Sequence, residues 1–392
     1  MTTLRIGLIG YGERARLADE LAHESNDAEV VAVFDPAQRA QEAARAAYPN
    51  AAISDTLDEL LSTQLDAVMV FTPDDLHAAP VIAALEAGLA VFTEKPLAIS
   101  VEDADRILAA AWRTGSRLYV GHNMRHMPVI TLMKQLIDDG RIGEVKAVWC
   151  RHFVGHGGDY YFKDWHADRS RTTSLLLQKA AHDIDVIHWL AGGYTRSVAA
   201  MGDSAVYAGI TDRRDRSGER MREWFSLDNW PPLSQTGLHP VIDVEDISQM
   251  NMRLDNGVLA SYEQCHFTPD YWRNYTVIGT EGRIENFGDG AGGRVALWNQ
   301  RHRGWAEPDE TFPIPDAAGG HGGADGFLVS EFVRFVRAGG RTLTSPVAAR
   351  EAVAAGVRAT ESLRSDGGAR DVAPLQAELV AYFEAGQERA AS

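Results

Sequence analysis

Five short apolar runs in the first third of the chain, Leu4–Ile9, 29–34, 66–71, 89–93 and 117–120, alternate with stretches of helical character. Most of these runs are near-continuous rather than alternating, as expected for strands covered on both faces. The intervening stretches include 37–47, 76–87 and Val101–Thr114. In the last of these, Ser100 and Asp103 stand at capping-box spacing, and Val101, Ala104, Leu108 and Ala111 form one apolar face. Strand–helix alternation of this kind calls for right-handed crossovers, so the chain is expected to open with a doubly wound parallel sheet of the α/β class.

After about residue 124 the pattern changes. Stretches 145–153, 197–206, Ile247–Leu254, 258–266, 275–278 and 282–286 read as strands, several joined by short turns. Asp255-Asn256-Gly257 is a hairpin turn in which Asn-Gly tolerates positive φ. The expectation is a second α/β domain with a large open, mainly antiparallel sheet and helices at 126–138, 180–191, 326–338 and 347–364. Residues 209–240 read as a long excursion, and 287–325 as loop with one or two edge strands. The expected domains are 1–124 and 125–392, with the C-terminal helices free to pack back on the first. At 392 residues, both domains can bury a full core.

Charge narrows the choice of partner. With 38 lysines and arginines against 55 acidic residues the formal net charge is −17, which disfavours nucleic acid and anionic membranes. Two cysteines, Cys150 and Cys265, exclude a disulfide framework; both lie in strand patterns, and no Cys/His spacing points to a metal. No apolar run reaches the ~18 residues of a membrane span. The N-terminal residues enter a strand without a signal-peptide pattern, so a cytoplasmic location is expected.

Gly10-Tyr11-Gly12-Glu13-Arg14-Ala15 follows the first strand and opens a helix. Gly10 permits the tight turn, Gly12 lets backbone approach a pyrophosphate, and Ala15 lets helix pack on strand. The helix N-terminus offers unpaired N–H groups to phosphates. Asp35 ends the second strand, where a carboxylate accepts from ribose hydroxyls and repels a 2′-phosphate; NAD is therefore favoured over NADP. Asp35 also suits a helix cap ahead of Pro36, and Arg39, one turn onward, is placed either to stack on adenine or to hold that phosphate.

Further segments carry a resemblance. Phe71-Thr72-Pro73-Asp74-Asp75-Leu76-His77 follows the third run, Thr93-Glu94-Lys95-Pro96-Leu97 the fourth, and Gly121-His122-Asn123-Met124-Arg125 the fifth. Together with Gln178-Lys179-Ala180-Ala181-His182-Asp183-Ile184-Asp185, they resemble the glucose–fructose oxidoreductase/inositol dehydrogenase (Gfo/Idh/MocA) family across nearly the whole chain. The resemblance implies a Rossmann domain followed by an α/β domain whose open sheet forms subunit contacts, hence a homodimer or homotetramer. It also implies NAD(P)-dependent chemistry on sugars or cyclitols. The cofactor set is then Gly10, Tyr11, Gly12, Glu13, Arg14, Asp35, Arg39, Thr72, Pro73, His77, Glu94, Lys95 and Asn123.

Strand ends in such a sheet line the ligand crevice, so Thr72, Pro73, Glu94 and Lys95 fall where nicotinamide would lie, and Lys95 is suited to polarise a substrate oxygen. Positions 178, 182, 185 and 189 share a helix face, with Lys179 at its edge. His182 is the candidate proton acceptor, because an imidazole titrates near neutrality. Gln178, Lys179 and Asp185 complete the catalytic set. Many family members carry aspartate where this chain has Gln178, which hydrogen-bonds but cannot stabilise an imidazolium by charge. Asp183 or Asp185 would then supply that charge, or Lys179 would join the reacting group.

The segment 152–166 is dense in aromatic and polar groups, as a carbohydrate wall would be. Substrate contacts are expected from His156, Asp159, Tyr160, Lys163, Trp165, His166 and His182, and from His321 in the glycine-rich segment before a helix. The run 212–222, rich in arginine and aspartate, reads as a solvated surface. The leading expectation is an NAD-dependent dehydrogenase acting on a secondary hydroxyl of a sugar, glycoside or cyclitol. The alternatives are a redox-neutral NAD-dependent glycosidase or lyase and a non-catalytic nicotinamide-binding regulator.

Overall fold

A computed structural model describes residues 2–22, 27–317 and 319–388. The chain divides into two units: Met1–Asn123 with Gly319–Val353 and Leu375–Ser392, and Met124–Ala318 with Ala354–Pro374. Two C-terminal segments thus belong to the first unit. His321, assigned above to the second domain, lies in the first.

The first unit contains β1 (Leu4–Ile9), β2 (Ala28–Phe34), β3 (Ala52–Ser54), β4 (Ala67–Val70), β5 (Ala90–Thr93) and β6 (Leu118–Val120). All pair in parallel, in the order β3-β2-β1-β4-β5-β6. This is the doubly wound dinucleotide-binding order, with its switch point between β1 and β4. Sequence patterning missed β3, which at three residues is too short to carry a period. The helix Val101–Thr114 begins as expected, Asp103 N–H donating to Ser100 Oγ at 3.1 Å. The segment after β1 differs from a regular α-helix: Glu13–Ala22 is a 3₁₀ run. Its core side, Leu17 and Leu21, shares a cluster with Ile6, Leu8, Met69 and Phe92, and with Leu328, Phe332 and Phe335 of the helix Ala324–Ala338. Phe92 stacks on Tyr119 at 5.7 Å and meets Phe332 edge-on at 5.5 Å.

The second unit contains β7 (Val145–Val154), β8 (Thr195–Asp203), β9 (Ile247–Leu254), β10 (Leu259–Cys265), β11 (Tyr271–Gly279), β12 (Arg283–Phe287), β13 (Arg294–Trp298), β14 (Glu310–Pro313) and β15 (Arg370–Asp371). Their order is β14-β13-β12-β11-β7-β10-β9-β8-β15, antiparallel except for the parallel pair β7–β10. At the β9–β10 turn only Gly257 takes positive φ (84°), and Gly257 N–H donates to the Leu254 carbonyl at 3.0 Å. Asn256 stays out of the left-handed region, a correction to the two-residue Asn-Gly turn expected above. β11 starts at Tyr271, four residues before the run read from the sequence.

Alternation of burial along β9 and β10, and along β7 from Val148 onward, gives this sheet one covered and one exposed face. The helix Ala180–Ala191 packs on the covered face, against β7 and β10. The 209–240 excursion holds two short 3₁₀ turns, Met221–Glu223 and Pro232–Ser234. Among the described residues no helix is long and apolar enough to cross a membrane.

Candidate active site

In the first unit the glycine loop sits at the switch point. Gly10 has φ 86°, and a Cβ there would stand 2.8 Å from Thr72 N and 2.9 Å from Phe71 C, so the β1 and β4 ends approach closely only with glycine. Gly12 is different: a Cβ would meet nothing within 4 Å. The chain itself imposes no need for glycine at position 12, whereas a closely approaching pyrophosphate does. Asp35 lies at the end of β2, its Oδ2 accepting from Tyr11 N–H at 2.7 Å and its Oδ1 from Ala37 N–H at 2.8 Å. It thus braces the turn ahead of the helix Gln38–Ala47, whose N-cap Ala37 receives no side-chain cap, so the capping alternative does not hold; the same carboxylate faces the glycine loop. Arg39 is exposed on that helix. These features fit NAD: open backbone at Gly12, a helical N-terminus at Glu13, and a carboxylate at the ribose position.

Several of the expected cofactor contacts are turned to the fold instead. Arg14 Nε donates to Glu94 Oε1 at 2.6 Å, and its two terminal nitrogens reach Asp325 at 2.8 and 3.0 Å. Asn123 Nδ2 donates to the same Asp325 at 3.1 Å, and His321 Nδ1 lies 3.0 Å from it. Burial pushes the Asp325 carboxyl up, but His321 and Arg14 outweigh it and hold it well below the usual carboxylate range. The network ties the glycine loop, the β5 end and the start of the helix Ala324–Ala338 together. The side chains of Arg14, Glu94 and Asn123 thus hold these loops to one another. His77 also ties loops together. Buried, it bridges the carbonyls of Pro96 (2.7 Å) and Thr72 (3.0 Å), fixing the turn that carries Lys95 to the one that carries Thr72 and Pro73. Tyr11 packs edge-on against Tyr48 at 6.1 Å, and Glu13 pairs with Arg16 at 3.4 Å.

In the second unit Gln178 ends one helical turn, and Lys179 leads into the helix Ala180–Ala191 that carries His182, Asp183 and Asp185. Gln178, Lys179 and His182 are all at least nine-tenths buried. Lys179 Nζ lies over the rings of Tyr161 (5.3 Å) and Tyr271 (5.6 Å), a cation held between two π faces. Asp185 is taken by Arg125, with contacts of 2.8 and 2.7 Å, and the same guanidinium lies 5.4 Å over Trp189. The i, i+4 pair 185 and 189 thus grips Arg125.

Asp183 is a buried hub that spacing could not distinguish from Asp185. It accepts hydrogen bonds from His152 Nδ1 at 3.0 Å, Tyr262 OH at 3.1 Å and Tyr275 OH, and forms an ion pair with Arg273, whose Nε lies 3.1 Å away. Burial raises its pKa, but Arg273, then His152 and Tyr275, hold it well below the carboxylate range. Burial and Arg273 push His152 down to about 3 against the pull of Asp183, so it is neutral, with Nδ1–H donating. Burial, then His152 and Lys179, likewise keep His266 well below its ordinary value. His152 Nε2 and both ring nitrogens of His266 meet no hydrogen-bond partner among the described residues. From the sequence, His152 enters only as the first residue of the 152–166 segment, and His266, Tyr271 and Arg273 are not singled out. The signal for His152 was alternation on β7; Tyr271 and Arg273 fall in the first four residues of β11, which were not recognised as strand, and His266 directly follows β10.

The 152–166 segment splits between two tasks. Tyr161 touches Tyr160 (6.2 Å), His166 (5.4 Å) and His266 (5.2 Å), so the wall reaches Lys179. His156 meets Tyr160 edge-on at 6.1 Å; Trp165 stacks on His166 at 3.8 Å, and His166 also pairs with Asp164. Asp159 and Lys163 are corrected: 2% and 3% exposed and 2.9 Å apart, they pair inside the fold and offer no charge to a ligand.

Comparison with known proteins agrees with this layout. The model described as "Oxidoreductase family, NAD-binding Rossmann fold" matches residues 4–122, and the "GFO/IDH/MocA C-terminal domain" model matches 130–285. The chain is 30% identical over 245 residues to 2,7-anhydro-N-acetylneuraminate hydratase of Mediterraneibacter gnavus, covering 59% of this chain and 64% of that protein. It is 32% identical over 216 residues to inositol 2-dehydrogenase of Rhizobium meliloti, covering 54% and 62%. It thus spans somewhat less than two thirds of either relative. The apo form of levoglucosan dehydrogenase shares the fold at a TM-score of 0.77 and 21% identity, covering 96% of this chain and 100% of that one. With a glycine loop at the switch point of a parallel sheet, an open mixed sheet in the second unit, and both family models matched in order, the chain belongs to the Gfo/Idh/MocA family of NAD-binding oxidoreductases.

Proposed function

We propose that the protein oxidises a secondary hydroxyl of a sugar, glycoside or cyclitol with NAD. The observation that carries this reading is a buried polar group in the second unit: Gln178 and Lys179 just before the helix Ala180–Ala191 and His182 in its first turn, with ring nitrogens on His152 and His266 that meet no hydrogen-bond partner among the described residues. Buried donors and acceptors that the chain leaves unmatched are costly, and a polyhydroxylated ligand offers the groups that match them. Tyr161 and Tyr271 supply apolar faces for its C–H surface. When bound, nicotinamide accepts the hydride. His182 takes the hydroxyl proton, Lys95 polarises the oxygen, and Gln178 and Lys179 hold the substrate.

A redox-neutral variant of the same chemistry has one specific support: a relative that acts as a hydratase on an anhydro sugar acid. Both readings are tested by incubating the protein with NAD and a panel of sugars, cyclitols and glycosides. Net NADH absorbance supports the dehydrogenase. Substrate conversion without NADH accumulation assigns the redox-neutral route, and neither outcome leaves a nicotinamide-binding protein without turnover.

A further inference from the structure

The 209–240 excursion has no role in the chemistry above, yet a buried network pins it to the 156–163 turn. Asp159 Oδ1 accepts from Asn229 Nδ2 at 2.7 Å and Oδ2 from Gln235 Nε2 at 3.1 Å, while the Asp159 carbonyl accepts from Trp224 Nε1 at 2.9 Å. Lys163 already balances the Asp159 charge, so these three bonds serve to place the excursion. They set Phe225, next to Trp224, against Tyr160 at 5.5 Å in a stacked arrangement (29°) and edge-on to His156 at 5.4 Å.

These rings are not core. The nearby core stack, Phe162 on Tyr207 at 4.5 Å, is buried with Leu175, Leu238 and Val244, whereas Phe225, Tyr160 and His156 are each only half-buried. Tyr160 continues through Tyr161 to the ammonium of Lys179, so the row joins the polar group already described. Half-exposed aromatic faces held rigidly beside a polar sugar site suit a second ring stacking next to the first.

We propose that Phe225, Tyr160 and His156 form a stacking subsite for the aglycone or adjoining sugar of a glycoside, so that the preferred substrate is a glycoside rather than a free sugar. This rests on the proposed function only for the ring that is oxidised. The probes are the p-nitrophenyl glycosides of glucose, galactose, mannose, xylose and N-acetylgalactosamine, each against its free sugar, with NAD present. Affinity is read by calorimetry and turnover by NADH absorbance, for the intact protein, Phe225→Ala and Phe225→Trp.

At least one glycoside is expected to bind about tenfold tighter than its free sugar, which is about 1.4 kcal/mol. Phe225→Ala should bring that ratio within about threefold of unity, and Phe225→Trp should restore it. If Phe225→Ala does not fold, Tyr160→Ala takes its place. A ratio near unity in the intact protein, a ratio untouched by the substitution, or no binding across the panel overturns the subsite. Glycoside selectivity in binding without NADH from any compound overturns the dehydrogenase reading while the subsite stands.

Discussion

His182 and Asp35 stand at opposite ends of what single residues reveal. If His182 accepts the hydroxyl proton, His182→Ala should lower turnover by about 10²–10⁴-fold, the usual worth of a positioned base, and flatten the acid limb of the pH profile. NAD affinity, measured by titration, should barely change. Retention of more than about a tenth of wild-type turnover would place the base elsewhere, with Lys179 the next residue to test. For Asp35, calorimetric titration should show NAD binding more tightly than NADP, because a 2′-phosphate meets a carboxylate already fixed by two backbone N–H groups. Equal affinities would assign the site to Arg39. Gly10 was legible because backbone geometry dictates it: a Cβ there would stand 2.8 Å from Thr72 N. Carboxylates were not. Asp159 and Asp185 were expected to hold substrate, and Asp183 or Asp185 to stabilise an imidazolium; each is instead paired with a cation, Asp159 with Lys163 four residues on, Asp183 with Arg273 and Asp185 with Arg125. No spacing rule reports such a pairing across 90 residues, as between Asp183 and Arg273.

Elements are where the sequence was most informative, and also where short pieces escaped it. Val101–Thr114, Ala180–Ala191 and Ile247–Leu254 follow from periodicity, while β3 and the first half of β11 are too short or too mixed to show one. The helix Ala180–Ala191 and the strands beneath it also make a pH prediction. His152 and His188 are lowered to about 3, His152 by burial and Arg273, His188 by burial and Arg125 against the pull of Asp185; His266 lies well below its ordinary value through burial, His152 and Lys179. Each is neutral when folded. The unfolded chain binds their protons below about pH 6.5, so their contribution is fully present above that pH and is lost as pH falls toward the folded values. One unit below 6.5, each such histidine costs about 1.4 kcal/mol. Urea midpoints should therefore begin to fall below about pH 6.5, before carboxylates titrate. His152→Gln, which keeps a donor for Asp183, should flatten the slope by about one proton. Midpoints level down to about pH 5 would mean that these histidines are protonated in place.

At the scale of the molecule, the exposed face of the second sheet is the feature that one chain leaves unexplained. The covered face is closed by the helix Ala180–Ala191, but the other presents Trp149 on β7, Leu259 on β10, Ile247 on β9 and Met201 on β8, which are 52%, 49%, 38% and 60% exposed. Between them stand Arg151 and Glu263, so the face mixes apolar anchors with charges of both signs, as subunit interfaces do. A nine-stranded sheet is large enough to supply the roughly 800 Å² per partner that a stable interface buries. A homodimer or homotetramer built through this face is the expected assembly. Light scattering at micromolar concentration should give a mass of two or four chains. Trp149→Glu, which puts a carboxylate among these anchors, should shift the population toward one chain while leaving the far-ultraviolet circular dichroism unchanged. A single-chain mass for the unmodified protein at that concentration would show that the apolar face is simply solvated. An oligomer insensitive to Trp149→Glu would place the interface on another surface.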